Sequence, residues 1–351
     1  MNITILIDYL IISSLVSIGV HYLIRNLAKN YKLLVDYPDK NRKFHKEPTP
    51  LTGGLSIILA LFMSGKLYLD INELNGYLPL FTSTIIFISF FLVLVFLIDD
   101  MYDIKARYRL AAQCVFTYYV IYSTGIYLEY FGNIFGLGDI YLGNWGVPIT
   151  IFCVVGVMNA FNMIDGINGL CAISALIVML FIGISSNLIY DSMLILMIGS
   201  VLGFLVFNLR VLGKKRSVFL GDSGSNLMGF LVAWMAIYSS QNEFYYITPI
   251  TTVWFIAIPL LDCIGLIFSR TFIGKKITDA GRDHIHHKLM QRFTPEISLV
   301  IIITLTIIIN SFAILMENNF SESISFYIFV LFAAFYYFFM FYYLKEKQGN
   351  L

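Results

Sequence analysis

Stretches of about twenty mainly apolar residues recur along this sequence between short polar breaks, and that spacing leaves the chain few ways to fold. A helix needs about 20 such residues to cross the hydrocarbon core of a bilayer, and a spanning backbone must satisfy its own hydrogen bonds. Eleven stretches lie near residues 3–25, 53–70, 78–98, 110–130, 147–160, 170–188, 192–209, 226–240, 247–269, 297–316 and 323–343. The expected architecture is an all-α polytopic membrane protein with ten or eleven transmembrane helices. The fifth and eighth stretches are short, so each is expected to be tilted, broken or extended into a flanking motif. With 58% hydrophobic and 13% charged residues the chain lies outside the soluble balance, and no nucleic-acid partner is expected.

Charge placement orients these spans, because Lys and Arg accumulate in short cytoplasmic loops. With the N-terminus outside and the C-terminus cytoplasmic, the inner segments hold the basic residues from Arg25 to Lys46, then Lys105, Arg107 and Arg109, and then Arg210, Lys214, Lys215 and Arg216. Arg270 through Arg292 and the tail with Lys345 and Lys347 complete the set, so that of 23 Lys and Arg only Lys66 falls elsewhere. Such basic loops also attract anionic lipid. The first span has no cleavage-site pattern and is expected to be an uncleaved anchor. Cys114, Cys153, Cys171 and Cys263 lie singly within spans, as packing residues do.

Five polar breaks, all cytoplasmic in this topology, carry the chemistry. The first, Asp36 to Gly54, is a basic loop with three prolines, either an orienting loop or an anion holder. In the second, an apolar span runs into Asp99, Asp100 and Asp103, followed by Lys105, Arg107 and Arg109. Carboxylates at the hydrocarbon boundary are costly unless they bind something, and this set suits Mg²⁺ beside phosphate. On a continuous helix Asp103 would share a face with Asp99 or Asp100; the alternative is a solvated helix end. The third break sets Asn159, Asn162, Asp165 and Asn168 around Gly166 and Gly169, offering amide donors and acceptors or simply a turn between helices. The fourth, Val218 to Phe230, brackets Asp222 with glycines and serines; its backbone N–H groups could bind phosphate at a helix start, or the segment is a cap. The fifth, Arg270 to Arg292, holds His284, His286 and His287. No cysteine or second histidine cluster completes a zinc site there, so phosphate or sugar contacts fit better.

In order, the DD-x-x-D break, N-A-F-N-M-x-D-G-x-N-G, F-L-G-D-S-G-S and H-I-H-H resemble the polyprenyl-phosphate N-acetylhexosamine-1-phosphate transferases, which initiate lipid-linked peptidoglycan, teichoic acid, capsule and O-antigen synthesis. The resemblance covers almost the whole chain and is nearest to the WecA-like GlcNAc-1-phosphate branch. This chain departs from that branch at Gly281, where relatives carry Asp. Residues 1–351 are then expected as a single integral membrane transferase domain, with active-site loops near 26–52, 99–109, 161–169, 210–225 and 270–296. The resemblance implies a UDP-N-acetylhexosamine and undecaprenyl phosphate as substrates, membrane lipid around them, Mg²⁺ or Mn²⁺ as the ion, and a homodimer as one assembly.

Residue by residue, the resemblance places Asp222 and Asn162 in the metal shell and makes Asp99, Asp100, Asp222 and His284 the catalytic set. Asp99 matches the family's proposed base and Asp100 its positioning neighbour. Arg109 matches a phosphate contact, and Lys46 and His45 lie near the nucleotide end. Asn159, Asp165 and Asn168 would line the nucleotide and metal pocket, with Asp103 beside them. His284, His286, His287 and Arg282 would meet the sugar phosphate. The competing class is an ion-coupled transporter, which places charged groups near the midplane; Asp262 alone looks that deep, and the transferase reading leaves it unexplained.

Overall fold

The computed structural model describes residues 3–38, 47–71, 79–187, 191–242, 246–272 and 284–340. Among these, thirteen α-helices follow in order: α1 (Ile3–Tyr31), α2 (Gly53–Ile71), α3 (Leu80–Tyr102), α4 (Ala106–Thr124), α5 (Gly146–Ile164), α6 (Leu170–Ser185), α7 (Ser192–Asn208), α8 (Gly221–Gln241), α9 (Pro249–Phe255), α10 (Ala257–Phe272), α11 (Ile285–Met290), α12 (Pro295–Asn319) and α13 (Glu322–Phe338). Every one of the eleven apolar stretches falls on a helix, and the protein is an all-α polytopic membrane protein.

Length and composition alone qualify four helices to cross a bilayer: α1, α3, α12, and α5 with the 3-10 turn before it; α9 and α10 count as a fifth if the bent pair is taken as one span. The other apolar helices, α2, α6, α7 and α13, are shorter. Polar motifs shorten the apolar run elsewhere: α4 opens with Arg107 and Arg109, and α8 with Gly-Asp-Ser-Gly-Ser-Asn.

The short fifth and eighth stretches are continuous helices, α5 and α8; the break falls in the ninth. There the chain bends by 80° between α9 and α10. Pro259 explains the position, since a proline removes its own N–H and its ring collides with the carbonyl four residues earlier, here that of Phe255 at the last turn of α9. Pro249 and Pro295 instead occupy first turns, where a missing N–H costs nothing.

Helix α8 is the axis of the bundle. It packs on α2, α3, α5 and α6, and its burial runs on all sides from Ser223 to Ser240, as expected of a helix without a solvent or lipid face. On its flank α1 crosses α7 closely, with Ser13 and Ser17 against Gly199 and Gly203 and the Ser17 hydroxyl donating to the Ser200 carbonyl at 2.6 Å, the small-residue contact common between membrane helices. One short antiparallel ladder joins β1 (Val35–Asp36) to β2 (Thr49–Pro50). Phe219 N–H donates to Pro50 O at 2.8 Å, and Gly53 N–H to Phe219 O at 3.0 Å, so the strand is tied to the segment that leads into α8.

Candidate active site

The ends of α3 and α5 and the start of α8 meet. Asp100, near the end of α3, accepts the N–H groups of Asp222 at 2.7 Å and Ser223 at 3.2 Å. A helix start leaves such donors unsatisfied, and here a carboxylate from another helix caps them. Of the backbone N–H groups at this helix start that were expected to bind phosphate, Asp100 already occupies two. Gly221 makes the approach feasible, because its φ is +74° and a Cβ there would stand 2.8 Å from an Asp100 oxygen, a backbone state and a space only glycine supplies.

Asp222 projects from the first turn of α8, with its side chain 41% exposed. Its Oδ1 accepts the Asn162 amide at 2.9 Å, and the same amide reaches Ser225 Oγ at 2.9 Å. Behind it runs a relay of amides. Asn159 donates to Gln113 at 2.9 Å, Gln113 to Asn226 at 2.6 Å, and Asn226 to the Asp222 carbonyl at 2.8 Å. Asn159 thus braces the site from behind rather than lining it.

Asp99 sits deeper, its side chain 1% exposed. It accepts the Ile104 N–H at 2.7 Å and pairs with Arg109 at 3.2 Å; the same Arg109 nitrogen lies 3.6 Å from Asp222. Arg109 therefore bridges two acids. Asp103 does not continue the helical face: it is the left-handed cap of α3, with φ 51°, and its N–H donates to Asp99 O at 2.9 Å.

These ends border a cleft of 1470 Å³. Of the expected residues, Asp99, Asp100, Asp103, Asn162, Asp165, Asn168, Asp222 and His287 line it. Asp165 follows α5 as its C-cap. Burial first, then the charges of Asp222 and Asp100, push its carboxyl up to about 8, the mark of acids crowded without a compensating cation.

The histidine segment forms one wall. His284 Nδ1 lies 2.8 Å from Asp262, whose other oxygen accepts the Ile285 N–H at 2.8 Å. Asp262, the deep acid that suggested a carrier, is thus the anchor of α11. His286 is 1% exposed, and neither ring nitrogen has a hydrogen-bond partner among the described residues. It packs on Gly166, where a Cβ would fall 2.0 Å from Nε2. Burial, then His287 and His284, lower its pKa to about 2. The expectation that His284 and His286 face substrate is corrected to a supporting wall, because one is held by Asp262 and the other enclosed; His287 faces the cleft. Lys46, His45, Arg282 and Gly281 lie outside the described residues.

Gln113, Asn226, Asp262 and Arg210 are site residues that sequence reasoning missed. The first three act through partners far away in the chain; Arg210 lines the cleft but read only as a topology marker at the edge of an expected active-site loop.

The donor set fits the implied Mg²⁺. Among the described residues no three His, Cys, Asp or Glu side chains form a metal cage by themselves, which suits an ion held by one or two carboxylates together with substrate phosphates. Asp222 and Asp165 supply hard oxygens. Asn162 gives its nitrogen to Asp222 in this arrangement, and would turn its amide oxygen to serve as a ligand.

Residues 82–240 match the profile of glycosyl transferase family 4, a region running from α3 through α8. The chain is 32% identical over 302 residues to the undecaprenyl-phosphate alpha-N-acetylglucosaminyl 1-phosphate transferase of Escherichia coli (strain K12), covering 84% of this chain and 79% of that protein. Proteins of the same name match from Salmonella typhi, 33% identical over 275 residues, 77% of this chain and 72% of the relative, and from Haemophilus influenzae, 32% over 270 residues, 75% and 73%.

Proposed function

Because this chain belongs to glycosyl transferase family 4, we propose that its cleft transfers N-acetylglucosamine-1-phosphate from UDP-GlcNAc to undecaprenyl phosphate, releasing UMP. The chief support is convergence: acids from three helix ends and the amides of Asn162 and Asn168 border a single cleft, and Arg109 bridges two of those acids. In this reading the cleft opens on the cytoplasmic face of a bacterial inner membrane, with the N-terminus outside, an orientation that the bias of Lys and Arg toward one set of loops supports. The first lipid-linked intermediate of a cell-surface glycan is the product.

Electrostatics sets the task. Two phosphate dianions 4 Å apart repel by roughly 16 kcal/mol at an effective dielectric of about 20. Asp222 and Asn162 would hold Mg²⁺, which would supply the charge neutralisation that a diphosphate meeting a lipid phosphate requires. The nucleophile needs little help from a base, because a phosphate monoester with a second pKa near 6 is already largely ionised at neutral pH. Asp99 therefore serves to position Arg109 and the segment after α3. Arg109 can exchange its acid partners for a phosphate oxygen, and Asp100 fixes the backbone that carries Asp222.

The test is direct. Purified protein with Mg²⁺, undecaprenyl phosphate and radiolabelled UDP-GlcNAc should give labelled lipid and UMP, with UDP-GalNAc run in parallel to fix the sugar. Absence of product from either sugar, with lipid acceptor shown to be active, would sink the reading.

A further inference from the structure

The geometry points to Arg210 as a binding residue for a phosphate of the UDP-sugar, an inference that rests on the transferase reading above. Arg210 follows the C-cap of α7, Leu209. Its N–H donates to Phe207 O at 3.1 Å, and the next N–H, of Val211, reaches back to Val206 O at 3.1 Å. This pair of bonds is the Schellman ending, in which the residue at the position of Arg210 takes left-handed backbone and is usually glycine. Arg210 has φ 61°. A side chain in that state is strained, and a glycine would close the same turn without strain.

The side chain shows what the arginine is there for. It lines the cleft, and its Nε is buried without a hydrogen-bond partner among the described residues. Around the same volume stand the carboxyl groups of Asp99, Asp100, Asp103, Asp165, Asp222 and Glu296, so a site that must admit phosphates needs a cation among them. A guanidinium is the group whose planar fork suits phosphate oxygens.

Its neighbours select the substrate. The preceding residues are joined to the amide-rich turn after α5: Asn208 Oδ1 accepts the Gly169 N–H, and a Cβ at Gly169 would touch Leu209. Asn168, the neighbour of Gly169, lines the same cleft. Leu209, Val211 and Leu212 are exposed, so Arg210 stands at the rim of the cleft.

Lys32 provides an internal control. It closes α1 with the same two bonds, Lys32 N–H to Lys29 O at 3.4 Å and Leu33 N–H to Ala28 O at 3.0 Å, at φ 56°. Its side chain is exposed and does not line the cleft.

The experiment compares Arg210→Gly, Arg210→Lys and Lys32→Gly in full-length protein by thermal melting and by KM for each substrate. Both glycine variants should melt higher than wild type, since each relieves a left-handed side chain. Only Arg210→Gly should raise KM for UDP-GlcNAc, by roughly ten- to a hundredfold for a lost charged contact, while KM for undecaprenyl phosphate stays within about twofold. Arg210→Lys should recover part of the loss. An unchanged KM for UDP-GlcNAc in Arg210→Gly, a rise confined to undecaprenyl phosphate, or a lower melting temperature with weakened activity would each overturn the assignment. Wild-type protein inactive with every UDP-sugar would instead remove the transferase reading itself.

Discussion

At the end of the bundle away from the cleft, Glu317 accepts the Thr248 N–H at 3.0 Å and the hydroxyls of Thr248 and Thr251, while Glu322 accepts the Asn133 N–H and faces the Tyr246 hydroxyl at 3.5 Å. Asp222 at the cleft end accepts one amide, its second oxygen stands 3.6 Å from Arg109, and Asp165 accepts no hydrogen bond among the described residues. Both ends place acids at helix termini. They differ in how far the protein itself satisfies them, and that difference separates framework from chemistry. A carboxylate saturated by protein donors holds helices together; one left open can bind an ion or a substrate. Asp100 and Asp262 lie near the cleft but belong with the saturated group, each spending both oxygens on backbone or histidine.

The largest test of this contrast is Asp222→Ala. Turnover should fall by roughly 1000-fold or more while membrane yield and melting temperature stay near wild type; retained activity would erase the distinction between the two ends. Asp100→Ala should affect both properties. Removing the acceptor for two N–H groups of α8 costs about 1–2 kcal/mol of stability, and the displaced Asp222 should lower turnover by roughly 100-fold. A pure activity loss without any change in melting would show that Asp100 is open, not saturated.

His286 tests a third case, a buried ring at the cleft wall with no hydrogen-bond partner among the described residues. Its folded pKa of about 2 lies below the ordinary histidine value of 6.5, so the unfolded chain binds the proton first as pH falls. The contribution of His286 is therefore complete above pH 6.5 and is lost progressively toward about pH 2. Melting temperature should decline below pH 6.5, and His286→Phe should flatten that decline; an unaltered slope would place the titration elsewhere. The smallest effect belongs to Glu317→Gln. Losing acceptor capacity for two hydroxyls should cost about 1 kcal/mol and leave turnover per folded molecule unchanged.

Much of this arrangement was legible in the sequence because its signals are local. Apolar runs mark the helices, and Asp99, Asp100 and Asp222 stand out since each interrupts hydrocarbon-length hydrophobicity. The bend between α9 and α10 was hidden by hydropathy that continues across residues 247–269, although Pro259 carried the signal. Asp262 and His284 are 22 residues apart and Gln113 and Asn226 are 113 apart, so no periodicity links them; only packing reveals that each serves the other. Nor does motif spacing tell a lining histidine from an enclosed one. Ring burial decides that, and it depends on Gly166 in the turn between α5 and α6.

The bend at Ile256 has a mechanical consequence. Asp262 lies six residues beyond it, about 9 Å along α10 at 1.5 Å per residue, and that acid carries the histidine wall. A pivot of roughly 10° about the bend moves the wall by about 1.5 Å, a displacement large enough to matter for aligned reacting groups. The angle at the bend is therefore also the angle at which the histidine wall is presented to the cleft.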